Sequence, residues 1–233
     1  MAGGALLWPG MAPVDLVIFD CDGVLVDSEV LSADVMIAEL GALGIVIDRA
    51  YVRQHFLGRS FPTVARMIRE THATPLPDHF EALYRRSLLQ RFETELQPTQ
   101  GIEAILADLR PRKCVATSSS RERVNRSLSI SGLARFFGGD VFTASQVRNG
   151  KPAPDLFLFA ADSMASTPDR TLVIEDSLPG IAAARAAGMR VLAYAGGKHC
   201  AGSPPATFDG AQVFDNWRGF PALLRAMSDG ESL

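Results

Sequence analysis

Leu16-Val17-Ile18-Phe19-Asp20-Cys21-Asp22-Gly23-Val24 is the stretch that decides the architecture. Four apolar residues followed by an acidic one read as a buried strand of a parallel sheet. The strand delivers two carboxylates, two residues apart, to its carboxyl end, where ligands gather in open α/β sheets. Gly23 lets the chain bend sharply there. Asp20 then points into a site, and Asp22 reaches over it from the next turn. Such a pair suits one nucleophilic carboxylate and one proton-transferring carboxylate.

Further short apolar runs are predicted as strands at residues 114–117, 141–143, 171–174 and 191–194, with a weaker one at 211–214. Helical patterns at 101–109, 121–130, 154–163 and 178–187 alternate with them, the last ended by Gly188. This alternation predicts an α/β fold: a doubly wound, mainly parallel, Rossmann-like sheet covered on both faces.

One segment breaks the alternation. Roughly ninety residues separate the first two strands, too long for a crossover loop, and they carry helical periodicity at 32–43, 62–72 and 78–95. Asp78-His79-Phe80-Glu81 has capping-box spacing at the start of the third helix. The expected division is a core of residues 13–28 and 96–227, an inserted helical cap of 29–95, and loose termini at 1–12 and 228–233. The hydrophobic content of 47 % in 233 residues suffices for a core, and the net charge of −3 suggests no nucleic-acid surface. No apolar run is long enough to cross a bilayer, and residues 1–12 lack the basic and apolar regions of a secretory leader. Cys21, Cys114 and Cys200 form no paired framework, so free thiols in a reducing cytoplasm are expected. A monomer is the favoured state.

Three later clusters follow predicted strands. Thr117-Ser118-Ser119-Ser120 precedes a helix, where hydroxyls and backbone N–H groups suit a phosphate. Ser119-x-x-Glu122 also fits a capping box, so some of these hydroxyls can serve only to cap. Gly150-Lys151-Pro152 holds one lysine rigidly, able to neutralise a phosphoryl group; taken alone it reads as a solvated loop lysine. Glu175-Asp176-Ser177 ends an apolar strand, and acidic residues so placed are costly to hold together without a cation. Mg²⁺, a hard cation taking oxygen ligands, suits them and Asp20. The four histidines, His55, His72, His79 and His199, show no metal-ligand spacing and read as structural or exposed.

Taken in order, Asp-x-Asp, Ser, Lys and Glu-Asp at successive strand ends resemble the haloacid dehalogenase superfamily, over about residues 16–197. The pieces that carry the resemblance are the run from Phe19 through Asp22 and Gly23 to Glu29, Gly150-Lys151-Pro152-Ala153-Pro154-Asp155, and Ile174-Glu175-Asp176-Ser177-Leu178-Pro179-Gly180. The inserted segment resembles the small helical cap of the subgroup that includes β-phosphoglucomutase and phosphoglycolate phosphatase.

This resemblance implies that Asp20 attacks phosphorus and forms an aspartyl-phosphate, while Asp22 protonates the leaving alkoxide and then activates water. It implies that Ser118 binds the transferring phosphoryl group and that Lys151 bridges that group and Asp20. Mg²⁺ is implied on Asp20, the backbone carbonyl of Asp22 and Asp176, with Glu175 a direct or supporting ligand. Ser119 and Ser120, with Gly58, Arg59 and Ser60 on a cap loop, are the expected substrate-binding residues. Asp22 and Asp176 argue against the dehalogenase branch, and a cap without lysine argues against the phosphonatase branch. Counting from Asp20, Ser32 stands where mutases of the subgroup carry a gating histidine, and Phe61 follows Gly58-Arg59-Ser60 where they carry an arginine. The expectation is a Mg²⁺-dependent phosphatase acting on a small phosphorylated metabolite, a sugar or polyol phosphate. The alternatives are a phosphosugar mutase and a catalytically silent binding protein.

Overall fold

The computed structural model describes residues 12–72, 75–200 and 208–229. Of the termini expected to be loose, residues 1–11 and 230–233 lie outside the described residues.

Among the described residues one parallel sheet has six strands: β1 (Leu16–Phe19), β2 (Arg112–Thr117), β3 (Val141–Thr143), β4 (Thr171–Glu175), β5 (Arg190–Tyr194) and β6 (Gln212–Phe214), in the order β3-β2-β1-β4-β5-β6. The order in which strands are added reverses at β1, so a crevice opens between β1 and β4 at their carboxyl ends. Register places Phe19 beside Val115 of β2 and Ile174 of β4. Asp20, Ala116 and Glu175 therefore emerge level with one another at that crevice.

Strand residues alternate between faces. Val17, Phe19, Val115, Leu172 and Ile174 join one buried cluster, and Leu16, Ile18, Cys114, Ala116 and Val173 join the other. Both faces are covered by helices: α5 (Ile102–Asp108), α6 (Arg121–Ile130), α7 (Asp155–Ser163), α8 (Leu178–Ala186) and α9 (Phe220–Asp229) accompany the strands. The last of these extends to Asp229, into the stretch expected to be loose.

Between β1 and β2 lie α1 (Glu29–Ala42), α2 (Arg49–His55), α3 (Phe61–Thr71) and α4 (Phe80–Glu95). Helix α2 is absent from the sequence reading. It is short, buries only Val52, and starts where the Asp48 side chain accepts from Tyr51 N at 2.7 Å. The capping box expected at Asp78 does not form: His79 is the N-cap, and Glu81 instead pairs with Arg85. The two crossings into this helical segment are laced together. Asp27 N donates to Gln97 O and Thr99 N to Leu25 O, both at 2.9 Å. The Thr99 hydroxyl donates to Val24 O at 2.7 Å and accepts from the Trp217 indole at 3.0 Å. No helix among the described residues is long and apolar enough to cross a membrane.

Candidate active site

Asp20 follows the central strand, its N–H donating to Ile174 O at 3.0 Å. The chain then turns back through Gly23, whose φ of +78° lies in the left-handed region. A Cβ there would stand 1.8 Å from Oδ2 of Asp176, so the turn packs directly on the acidic end of β4.

Lys151 is buried and joins the two strand ends. Its Nζ donates to Asp20 Oδ1 and to Glu175 Oε1, each at 2.7 Å, and to Ala116 O at 3.1 Å. Burial alone would lower its pKa, but the Asp20 and Glu175 carboxylates outweigh that and hold it firmly charged. The other oxygen of Glu175 accepts from Asp176 N, Ser177 N and the Ser177 hydroxyl, all at 2.8 Å. Glu175 thus has both oxygens engaged. It anchors the lysine and the turn after β4 more than it offers a free ligand.

Carboxylate oxygens of Asp20, Glu175 and Asp176 lie within 4.8 Å of one another, all buried. Asp176 Oδ2 accepts no well-angled hydrogen bond among the described residues. That oxygen's one close polar neighbour is His199 Nε2 at 2.8 Å, and three buried carboxylates brought this close are costly to hold without a cation, so the all-oxygen set fits a hard divalent one. Asp20 and Asp176 are the residues with capacity left to hold it. Without that charge, burial pushes the Asp20 carboxyl up to about 7, with Lys151 opposing and Glu175 and Asp22 adding to the rise. Burial, then Glu175 and Asp20, push Asp176 well above its usual range.

Asp22 is held from three sides. Oδ1 accepts from the Ser28 hydroxyl at 2.5 Å and from Arg123 Nη2 at 2.7 Å, and Oδ2 accepts from the Ser119 hydroxyl at 2.5 Å. Burial would raise its pKa, but Arg123 and the two serines overcome it and keep the group ionised. Arg123 also donates to the Ser32 hydroxyl of α1 at 2.8 Å and lies 5.5 Å from the Phe92 ring of α4. It therefore connects Asp22 to the helical segment.

A cavity of about 80 Å³ opens over this centre. Asp20, Asp22, Asp176, Ser118 and Ser119 line it from the sheet, and Gly58 and Arg59 line it from the helical segment. Ser118 Oγ donates to Gly58 O at 3.1 Å, joining the β2 end to the loop between α2 and α3. Ser120 lies aside as the N-cap of α6, accepting from Arg123 N at 3.3 Å and from Arg85 Nη1 at 2.6 Å. Ser119 does not cap, because its hydroxyl is given to Asp22. Ser60 stands at the N-cap position of α3 with its hydroxyl 3.2 Å from that of Thr63, makes no side-chain capping bond, and does not line the cavity.

Three residues here escaped the sequence reading. Arg123 lies one helical turn beyond the serine cluster and looked like any helix arginine. Glu29 lines the cavity, its carboxyl pushed up by burial and by Asp22. His199 places Nε2 2.8 Å from Asp176 Oδ2 with its side chain 8 % exposed, yet it stands after β5 with no spacing to betray it. The cysteines Cys21, Cys114 and Cys200 are free thiols and buried.

The fold is that of an α/β protein with a buried acidic cluster at the β1/β4 crevice. The description "haloacid dehalogenase-like hydrolase" matches residues 14–188, and the chain belongs to that family. It is 25 % identical over 217 residues to the 6-phosphogluconate phosphatase of Escherichia coli strain K12, covering 93 % of this chain and 97 % of that protein. A haloacid dehalogenase-like protein from Agrobacterium tumefaciens superposes with a TM-score of 0.78 at 33 % identity, covering 92 % of this chain and 99 % of that one. A family hydrolase from Deinococcus radiodurans, solved with bound phosphate and sodium, superposes with a TM-score of 0.72 at 31 % identity, covering 94 % and 98 %.

Proposed function

We propose that this enzyme is a Mg²⁺-dependent phosphatase that releases phosphate from a small phosphorylated sugar or polyol through an aspartyl-phosphate on Asp20. The observation that carries the reading is Lys151, buried and shared between Asp20 and Glu175 at 2.7 Å each. A fixed cation beside a strand-end carboxylate serves a phosphoryl group, whose transfer needs positioning and charge neutralisation. The phosphatase relative, similar over nearly its whole length, and the phosphate held by the Deinococcus hydrolase agree with it.

Mg²⁺, held by Asp20, Asp176 and the Asp22 backbone carbonyl, would supply positive charge that keeps Asp20 ionised and offsets the phosphoryl charge. Asp20 is the nucleophile, with one carboxylate oxygen fixed by Lys151. Ser118 and Lys151 bind the transferring phosphoryl oxygens. Asp22 must first let go of at least one of Arg123, Ser28 and Ser119 and take up a proton; it then gives that proton to the departing oxygen and later takes one from water. Glu175 holds Lys151 in place. Residues 29–95 act as a cap that excludes water and shapes the substrate pocket, and the cavity of about 80 Å³ favours a small substrate.

The test is phosphate release over phosphorylated sugars, polyols, glycolate and nucleotides, with Mg²⁺ and with EDTA. Wild-type protein should turn over sugar or polyol phosphates only with the metal, and Asp20→Asn should be inactive while folded. Activity retained by Asp20→Asn, or indifferent to chelation, overturns the assignment.

A further inference from the structure

A second cavity, of about 240 Å³, opens between α1, α2 and the short turn Lys198–Cys200 after β5. The helical segment and the sheet each supply a wall. It shares Glu29, Val52 and Leu57 with the cavity over Asp20, but Asp20, Asp22, Ser118 and Asp176 are not among its lining residues. It is therefore a separate space, larger than the one above the reacting carboxylate.

Its rim is cationic. Arg49 and Arg53 stand four residues apart on α2, both exposed, and Lys198 lines the same space from the sheet side. Among the described residues one acid, Glu29, lines it against these three. The partners of the rim lie outside the lining and leave donors over. Arg49 gives Nε and Nη2 to Asp34 at 2.6 and 2.7 Å, which leaves Nη1 without a hydrogen bond among the described residues, and its side chain is 64 % exposed. Lys198 Nζ stands 3.8 Å from Asp27, a loose pair with the lysine 67 % exposed. The turn that carries it is fixed by Lys198 N, which donates to Asp27 Oδ1 at 3.1 Å. Like charges four residues apart on one helix face repel, and an anion between them replaces that repulsion with attraction. Guanidinium groups bind phosphate oxygens in pairs, and a cavity just below the range of about 300–1,000 Å³ typical of drug-sized ligands holds a small metabolite.

We propose that this cavity is a second anion site, taking inorganic phosphate or a small phosphate-bearing molecule, and that Arg49, Arg53 and Lys198 hold the anion. Because its walls come from both parts of the chain, the bound anion ties the helical segment to the sheet.

The experiment follows thermal unfolding in EDTA while inorganic phosphate, or the non-hydrolysable phosphonoacetate, is raised from about 1 to about 100 mM against NaCl of equal ionic strength. Without metal, the carboxylates of Asp20, Glu175 and Asp176 disfavour phosphate at the reacting centre, so stabilisation reads the second cavity. At about ten times the dissociation constant, wild type should gain about 3–6 °C in Tm over NaCl. That gain should be lost in Arg49→Gln/Lys198→Gln, which removes rim charge. It should also be lost in Ala50→Trp, whose indole fills the cavity from the exposed side of α2 and leaves the three cations in place. A gain from inorganic phosphate supports a site for the free anion; a gain from phosphonoacetate alone supports one for an organic phosphate. General exclusion of phosphate from protein surfaces stabilises all three proteins alike, so equal gains in wild type and variants overturn the proposal, as does a wild type that gains nothing from either anion. The measurement needs no turnover, so its failure leaves the phosphatase reading standing and loss of that reading leaves this site to be judged by itself.

Discussion

Replacing Glu175 by glutamine tests how the centre is held. The side chain keeps its shape, but its two oxygens serve opposite sides: Lys151 Nζ on Oε1, and the Asp176 N–H, Ser177 N–H and Ser177 hydroxyl on Oε2. A glutamine must turn its NH₂ toward one side or the other, and either side presents donors. Oriented one way it faces the ammonium; oriented the other it faces two backbone N–H groups. The site is buried, with Glu175 fully inaccessible and the Lys151 side chain 1 % exposed, so water cannot repair the mismatch. Breaking a buried ion pair from one side costs about 3–5 kcal/mol. The Asp20 carboxylate remains to hold the lysine, so the lower end, about 3 kcal/mol, is expected. For a chain of this size that lowers Tm by about 6–12 °C. Thermal unfolding followed by circular dichroism in EDTA reads it. A change below about 2 °C would refute the reasoning. If Glu175 were instead a metal ligand with free oxygens, Tm in EDTA would stay near wild type and only the stabilisation by added Mg²⁺ would shrink.

Arg123→Met keeps bulk against Phe92 but removes the donor that holds Asp22 in place beside Ser32; Asp22 then protonates more readily but is no longer positioned to deliver the proton, so kcat/KM for an alkyl phosphate should fall at least about tenfold more than for p-nitrophenyl phosphate, whose leaving group needs no proton. Equal losses would show that Arg123 does not act through Asp22. Burial pushes the Asp15 carboxyl up, but the Ser166 hydroxyl and Arg170 pull it further down, so its folded pKa lies below the ordinary 3.8. A depressed carboxyl adds stability above its unfolded value, lost as pH falls through the folded value. The stability gap between wild type and Asp15→Asn should therefore be full at neutral pH and close in acid, as measured by urea unfolding across pH; a gap that widens in acid contradicts this. Burial, then Asp22 and Asp20, raise the Cys21 thiol well above its usual pKa, and burial with Asp140 raises Cys114. Mass spectrometry should find both unlabelled by iodoacetamide in the native protein and labelled after unfolding; rapid native labelling of Cys21 would mean the turn at Gly23 is open.

Much of the centre was legible because its residues follow strands. A strand end projects the next side chain to a defined place, so Asp20, Ser118 and Asp176 could be assigned to one edge from the apolar runs before them. Lys151 was read from its Gly-Lys-Pro setting and the order of motifs, and the structure brings it to Asp20 and Glu175. Helix α2 was missed because seven residues burying one valine leave no periodic pattern. Ser119 was read as a possible cap because its local spacing fits one. The competing partner, Asp22, is distant in sequence and invisible to local rules.

Sequence alone determined the parallel α/β sheet, the helical insertion and the acidic pair after β1, since these depend on local hydrophobic period and on residues adjacent in the chain. Only the tertiary structure decided that Glu175 anchors Lys151, that Arg123 and Ser28 clamp Asp22, and that His199 faces Asp176. Each of those is a contact between segments far apart in the chain. Burial and charge then set its chemistry, and neither exists until the sheet and the helical segment have packed together.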